Sequence, residues 1–385
     1  MKCRTQETAA TGVHSPGEAA MRPTIMKIST DAIAANARAI RARIPRSVRM
    51  MCVIKANAYG HDAVATAQKL AAAGADAFAV AIVEEAEQLR AAGIGGMILI
   101  LGGAGEESLR QAVRCGASQA VYTPRMLDIL QDEARRAGVR AKAHLKLDTG
   151  MSRVGVYGEE DLRAMLHHWR YCPDVDMEGA FTHLCAADSD ASFTDLQRRR
   201  FEGALSLIRE AGFAPVAHAA ASTAMLNPAL QYDMVRPGIA LYGSCVPEMA
   251  SELVNAQTLV TRPIRIQRIA PGDTVGYGRT FEARRPTLVM TLPIGYGDGY
   301  PRILSNRASV LVHGRRAPLI GRVCMDMVMA DVTDIPEVSP EDEVVLMGRQ
   351  GDDCITPDEL AELAGTIPYE IMLGFGPRVR TQLTD

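Results

Sequence analysis

From about residue 48 to residue 242, short apolar runs alternate with longer stretches in which apolar residues return every three or four positions. A strand buried on both faces leaves the first pattern, and an amphipathic helix leaves the second. The strand candidates are Val48–Ile54, Ala77–Ile82, Met97–Leu101, Gln119–Tyr122, Ala141–Leu147, Met177–Thr182, Pro215–His218 and Asp233–Leu241. Helices are predicted between most of them, among them Asp62–Ala73, Glu84–Ala92, Glu106–Arg114, Pro124–Ala137 and Thr194–Ala211. Several run into glycine, in AAAG, AAG, RCG, RRAG and EAG, as a helix C-cap requires. Strands alternating with helices imply βαβ units and a parallel sheet. Eight such units in about two hundred residues suit a closed (β/α)8 barrel of the TIM type, in the α/β class. An open doubly wound sheet is the alternative, but no GxGxxG follows the first strand, which weakens a dinucleotide-binding reading.

After about residue 250 the pattern changes. QTLVTRPIRIQRI, PTLVMTLPI, ASVLVHGRRAPLI, MDMVMADVT and EVVLMG alternate apolar with polar positions, or run apolar, between Pro, Gly and Asp turns. This predicts a β-rich second domain, interrupted by one helix over Pro357–Ala364 with Thr356 as N-cap. The expected organisation is a disordered tail over 1–21, a barrel over 22–248 and a β-rich domain over 249–385. The tail is small and polar and lacks the apolar core of a signal peptide, and Met21 offers a second start.

Composition narrows the function classes. Among 385 residues, 42 Lys and Arg nearly balance 45 Asp and Glu, for a net charge of -3. That balance argues against nucleic acid or an anionic membrane as partner. No apolar run reaches about 18 residues, so no transmembrane helix is expected. The eight cysteines have no CxxC and no zinc-like spacing with histidine, so reduced thiols, a cytoplasmic location and no metal are expected.

The candidate chemistry lies where strands end. In a βα barrel, functional side chains gather at the C-terminal face of the strands. Lys55 directly follows the first strong strand, in VIKANAYGHD. Taken alone, it is equally a lysine snorkelling out of a strand end. Further strand ends carry Lys146, Asp148 and Arg153 in HLKLDTGMSRVG, His183 in FTHLCAAD, His218 and Ser222 in HAAAS, and Arg236 and Gly238 in DMVRPGIALYG. So many polar residues on one predicted face make a site. A lysine in a partly apolar mouth can lose its proton and form a Schiff base. The small residues of RPGIALYG leave backbone amides free to cradle a phosphate. Together they suggest pyridoxal phosphate.

The segments VIKANAYGHD, KLDTGMSRVG, THLCAAD, RPGIALYG, VGYGRTF, PIGYGDGYPR and GRVCMDMVMADVT occur in one order between about Thr24 and Arg378, and in that order the chain resembles the alanine racemases. The resemblance implies a barrel followed by a β domain, pyridoxal 5'-phosphate as cofactor, an amino-acid substrate and a head-to-tail homodimer with shared active sites. Lys55 would carry the cofactor as an aldimine and act as one base, with Tyr277 of the partner subunit as the other. Arg236 would hydrogen-bond the ring nitrogen, and His183 would link Arg236 to that tyrosine. Tyr59, Ser222 and the amides of Gly238 and Ile239 would hold the phosphate. Arg153 would meet the cofactor's phenolic oxygen and the substrate carboxylate, oriented by a carbamylated Lys146. The amide of Met325 would also meet the carboxylate. Asp326, Tyr296 and Arg302 would line the access path. The implied reaction interconverts L- and D-alanine by two-base proton transfer at Cα, for peptidoglycan or in catabolism.

The chemistry agrees with that assignment. Racemisation takes a proton from one face of Cα and returns one to the other, so two bases on opposite faces avoid moving the substrate. Both have ordinary pKa values near 10, so each needs a perturbing environment. Arginine beside the ring nitrogen cannot readily give up a proton, which leaves that nitrogen an acceptor and limits the life of the carbanion. The chain also departs from the family. Ala221 replaces the usual asparagine before Ser222, TIMKIST replaces a tryptophan-bearing opening, and Pro377 stands where some members place a phosphate-binding tyrosine, Tyr369 being near but not equivalent.

Competing readings are a serine or broad-range racemase, a decarboxylase of similar architecture, which Arg236 opposes, and a non-catalytic cofactor carrier, which the second domain opposes. Read singly, Tyr277 is an ordinary strand tyrosine, Asp326 a turn cap, Cys52 and Cys324 packing residues and CMDMVM a buried strand. His144, His167, His168 and His313 receive no role.

Overall fold

The computed structural model describes residues 22–103, 105–244 and 246–385. The disordered tail expected over 1–21, with Cys3, and the cysteine at 245 lie outside the described residues. The barrel has eight parallel strands: Arg49–Val53, Ala77–Val80, Met97–Ile100, Ser118–Val121, Ala141–Asp148, Val175–Phe181, Val216–His218 and Met234–Val235. Each pairs with the next as far as the seventh, and the eighth pairs with the first. The remaining seam is drawn together by a parallel bridge, Ala221 to Arg236, and by the Arg236 amide donating to Ala220 O at 2.9 Å. The sheet is therefore a nearly closed barrel and not an open, doubly wound one. Strands such as Ala77–Val80 and Ser118–Val121 are buried at every position, which explains their unbroken runs.

The eighth strand is much shorter than the predicted Asp233–Leu241. Pro237 has no N–H to continue a ladder, and at Gly238 the chain turns into a 3-10 segment, Ile239–Tyr242. The turn delivers a run of backbone amides to the barrel mouth. The helices follow their sequence signals. Asp62 caps Ala63–Ala72 by accepting from the Ala65 amide at 3.0 Å. Pro124–Ala137 starts behind Thr123 with proline in its first turn and ends on Gly138 at φ 65°.

The second domain is built on a seven-stranded sheet. Next to one edge of it lies Ile25–Ser29, antiparallel to Gln257–Thr261 and parallel to the edge strand Arg380–Thr384. The N-terminal strand thus sits in the β-rich domain, which revises the expectation that the barrel begins at residue 22. A smaller antiparallel sheet joins Arg265–Ile269, Thr287–Leu292 and Val328–Asp331. The helix Pro357–Ala364 is present with Thr356 accepting from the Glu359 amide at 3.0 Å. One apolar cluster runs from the barrel (Met50, Val80, Leu241) into the second domain (Leu259, Met290, Val345), so the two pack as one body. The six described cysteines are all free thiols.

Candidate active site

The chain reverses hand just past the first barrel strand. Ala56, Asn57, Ala58 and Tyr59 have φ of 51 to 55° and ψ of 37 to 52°. None is glycine, and left-handed backbone costs an L-residue roughly 1 kcal/mol or more. Side chains hold the turn. Asn57 Oδ1 accepts from the Ala63 amide at 2.8 Å, and the Glu85 carboxylate accepts from the amides of Ala56 at 2.5 Å and Ala81 at 2.7 Å. The turn brings Lys55 and Tyr59 to one cavity of about 470 Å³.

The other cofactor-site residues expected from the sequence line the same cavity: Arg153, His183, Ser222, Arg236, Gly238 and Ile239. Lys146 lines it too. Ser222 Oγ accepts from the amides of Gly238 at 2.9 Å and Ala240 at 3.3 Å. Asp148 shapes the loop before Arg153, its carboxylate accepting from the amides of Gly150 at 2.9 Å and Ser152 at 3.1 Å. Tyr369, set aside in the sequence, also lines the cavity, with its ring 5.7 Å from that of Tyr59. Pro377 instead lines a separate hollow with Asn57 and Gly60.

The cavity is strongly cationic. Burial, then Arg153, lowers the pKa of Lys55, opposed by Glu85. Burial, then Arg236, lowers Lys146 to about 8. Burial, then Arg236 and Arg153, pulls His183 down to about 3, so its ring is neutral and can accept from Arg236 Nη2 at 3.4 Å. Burial brings Arg236 to about 9, still charged at neutral pH. A cavity lined by Lys55, Lys146, Arg153 and Arg236 is built for an anionic ligand.

Beneath Arg236 runs a buried chain of hydrogen bonds that the sequence reading missed. Arginine can only donate. His218 Nδ1, 2.9 Å from Arg236 Nη1, must therefore accept. That leaves Nε2–H of His218 to donate to His144 Nδ1 at 2.9 Å, and Nε2–H of His144 to donate to Glu178 at 3.3 Å. One tautomer of each ring satisfies every link, and the Glu178 carboxylate ends the line. His144, given no role from the sequence, is thus an inner link. A methyl at Gly179 would lie 2.2 Å from His144 Nδ1, so only glycine leaves the ring its place. Gly179→Ala is expected to lower stability by about 1–3 kcal/mol through overpacking; an unchanged melting temperature would refute this.

Burial alone would raise the pKa of Glu178, but hydrogen bonds from His144, Ser118 and Lys142 bring it down to about 2. A carboxyl depressed on folding stabilises the native state above its unfolded pKa, and that contribution is lost as the pH falls toward the folded value. Glu178→Gln should therefore cost on the order of 2 kcal/mol at neutral pH, with the difference shrinking between about pH 4 and pH 2. Denaturant unfolding of both proteins across that range measures it, and a pH-independent gap would contradict the assignment.

The other predicted site residues gather elsewhere. Tyr277, Tyr296, Arg302, Met325 and Asp326 are absent from the lining of the Lys55 cavity. All five belong to the second domain. The amides of Tyr296 and Gly297 donate to Cys324 O at 3.0 Å and Met325 O at 2.8 Å. Arg378 bridges Asp326 at 2.7 Å and the buried Asp298 at 3.1 Å. Tyr277 opens a 3-10 turn, Tyr277–Arg279, where a methyl at Gly276 or Gly278 would come within 3.2 Å of Arg322. Tyr277 is 71% exposed and Met325 53%. CMDMVM is thus largely an exposed loop leading into Val328–Asp331, not the buried strand its methionines suggested. Within one chain, these residues and the Lys55 cavity are therefore separate.

Two family models cover the chain: the N-terminal domain of alanine racemase over residues 28–246 and its C-terminal domain over 256–383. The chain belongs to the alanine racemase family. It is 44% identical over 370 residues to the alanine racemase of Symbiobacterium thermophilum, covering 93% of this chain and 96% of that one. The alanine racemase of Carboxydothermus hydrogenoformans is 40% identical over 366 residues, covering 93% and 99%. Among solved structures, alanine racemase from Bacillus anthracis with bound L-Ala-P superposes with a TM-score of 0.87 at 34% identity, over 94% of this chain and 95% of that chain. The enzyme from a D-cycloserine-producing Streptomyces lavendulae gives 0.89 at 32%, over 97% and 98%. As an alanine racemase, the chain is an isomerase. Asp128, His168 and Cys172 bring three donor atoms within 4.8 Å of one another on the outer helices, and His168 there pairs with Asp128 at 2.7 Å. His313 pairs with Asp342 at 3.0 Å.

Proposed function

We propose that the chain interconverts L- and D-alanine with pyridoxal 5'-phosphate at the barrel mouth, in active sites shared between the two subunits of a homodimer. When bound, the cofactor supplies an aldehyde for Lys55 and then the amino acid, and an electron-withdrawing ring that lets the Cα proton leave. The cavity's residues fit such a group. Four cations face it, the amides beside Ser222 are suited to a phosphate, and a methyl at Gly238 would come within 2.9 Å of Tyr59 Oη, closing the cradle.

Lys55 holds the cofactor and moves the proton on one face of Cα. The partner subunit's Tyr277 moves it on the other. Arg236 donates toward the ring nitrogen and is kept charged and oriented by His218, Thr182 O and Ala219 O, each at 2.9 Å. Tyr59, Ser222 and the amides of Gly238 and Ile239 bind phosphate, with Tyr369 beside Tyr59 in place of the family tyrosine that Pro377 replaces. Arg153 holds the phenolic oxygen and the substrate carboxylate. The lowered pKa of Lys146 supports its carbamylation: the neutral amine adds carbon dioxide, releases a proton and leaves an anion between Arg153 and Arg236. The partner subunit's Met325 meets the carboxylate through its amide, and the partner subunit's Tyr296, Arg302 and Asp326 line the access path. A cytoplasmic enzyme making D-alanine for peptidoglycan, or consuming it, follows from this reading. No helix among the described residues is long and apolar enough to cross a membrane.

The observation that carries the reading is the cationic cavity that gathers Lys55, Tyr59, Arg153, Ser222 and Arg236, with Tyr277 exposed and outside it. Its test is incubation with pyridoxal phosphate and L-alanine, L-serine or L-lysine, separately, in deuterated water. D-Alanine with deuterium at Cα should dominate. A broad product set would point to a broad-range racemase and to Ala221 and Pro377. No exchange with any of them would overturn the reading.

A further inference from the structure

Resting on that reading, we propose that His61 is a positioning residue which clamps the left-handed turn and thereby holds Lys55 and Tyr59 in register with one cofactor molecule. Its Nδ1 lies 3.0 Å from Ala58 O and 3.0 Å from Tyr59 O, both carbonyls of the turn. Carbonyls only accept, so Nδ1 carries the proton and donates to both. Nε2 is then left as a bare acceptor, and it is buried without a hydrogen-bond partner among the described residues. An orphaned ring nitrogen is destabilising, so packing alone would favour phenylalanine or leucine here. What the imidazole contributes is the two-carbonyl grip.

The grip connects to the rest of the site. The His61 ring stacks on Tyr242 at 4.4 Å and 23°, and Tyr242 packs on Tyr59 at 5.0 Å. Tyr242 Oη donates to Val53 O at 3.2 Å, at the end of the strand leading to Lys55. The His61 carbonyl accepts from Thr66 Oγ1 at 3.0 Å, which fixes the residue to the following helix. Strand end, turn and helix are thus tied at one residue: the turn by the His61 ring, the helix by its carbonyl and the strand end through Tyr242. Burial lowers its pKa to about 4, so the ring is neutral and the same tautomer serves across the working range.

The test compares His61→Phe, which keeps the stack on Tyr242 but loses the donor, with His61→Asn, whose amide can donate near the place of Nδ1. A third protein, His61→Phe with Ala56→Gly, lets glycine adopt the left-handed backbone without help. Affinities for pyridoxal phosphate and for phosphate-free pyridoxal are measured, with kcat and KM at saturating cofactor. His61→Phe should bind pyridoxal phosphate about tenfold more weakly and lose kcat with little change in KM for alanine. Its preference for pyridoxal phosphate over pyridoxal should shrink, because Tyr59 moves off the phosphate. His61→Asn and the double variant should recover most of both losses.

Wild-type affinity and kcat in His61→Phe would overturn the proposal. So would a loss that neither the asparagine nor the added glycine repairs, since that is the mark of packing. If His61→Phe does not fold, His61→Leu replaces it under the same criteria, and His61→Asn must still recover most of both losses. Amide hydrogen exchange over residues 56–60 in the cofactor-free proteins gives an independent reading, and it must accelerate in the phenylalanine variant. If the wild type binds no pyridoxal phosphate, the functional reading fails while that exchange still decides whether His61 holds the turn.

Discussion

Replacing Lys55 by alanine is expected to lower alanine racemisation by about 10⁴-fold or more, since the proposed function gives it two roles, covalent anchor and general base. Lys55 lines the cavity with a pKa lowered by burial and by Arg153, so its amine is more readily neutral than a surface lysine. The losses separate by experiment. Borohydride treatment of the wild type with cofactor should leave the label on the peptide carrying Lys55, and the variant should stay unlabelled. Lys146, with a pKa of about 8, is the rival amine in the same cavity. Label appearing on the Lys146 peptide in the wild type would reverse the assignment, and near-normal turnover in the variant would remove Lys55 from the chemistry.

Mixing two inactive proteins should restore activity. Tyr277→Phe is expected to lose about 10²–10⁴-fold as a homodimer, the usual worth of a positioned acid–base group. If each site joins Lys55 of one subunit to the partner's Tyr277, a hybrid of Lys55→Ala and Tyr277→Phe subunits has one intact site and one doubly damaged site. Random reassortment of equal amounts makes half the dimers hybrid, so about a quarter of wild-type activity should return. No recovery after verified subunit exchange would mean that both residues serve the same subunit's site. That result would contradict the exposed position of Tyr277 and its absence from the Lys55 cavity. The pair of experiments therefore tests the role proposed for Lys55 and the proposed sharing of the site separately.

The barrel and its mouth were readable because a parallel barrel forces one geometry on every strand end. Lys55, Lys146, His183, Ser222 and Arg236 lie far apart in sequence, yet each follows or ends a strand, so one rule places them all. His144 was readable in part. It stands two residues before Lys146 on the same strand and so shares its inward face. Its partners Glu178 and His218 come from the next two strands, and no spacing within one strand announces them. The left-handed turn was not legible, because positive φ is signalled by glycine and ANAY contains none; Glu85, His61 and Asn57 impose it through contacts. Met325 misled for the opposite reason. Its neighbours carry the apolar pattern of a core strand, while backbone bonds to Gly297 hold it out on a loop. The place of Ile25–Ser29 in the far sheet was likewise unreadable, since strand order across domains is a property of the whole chain.

That first strand has a consequence for how the protein is made. Ile25–Ser29 lies between Gln257–Thr261 and Arg380–Thr384, so both of its neighbours leave the ribosome after the barrel strands, the second more than a hundred residues after the first. The barrel's strands are complete by Val235, and it can close while the second sheet still lacks its last strand. During that interval the first strand presents an unpaired edge, ready to join a strand of another nascent chain. Emergence of the segment that follows Pro377 ends the exposure, for Arg380–Thr384 covers that edge and Arg378 ties Asp298 to Asp326. The segment from Arg378 to Thr384 therefore decides both when that first strand stops being sticky and when the loop at Asp326 takes its final shape.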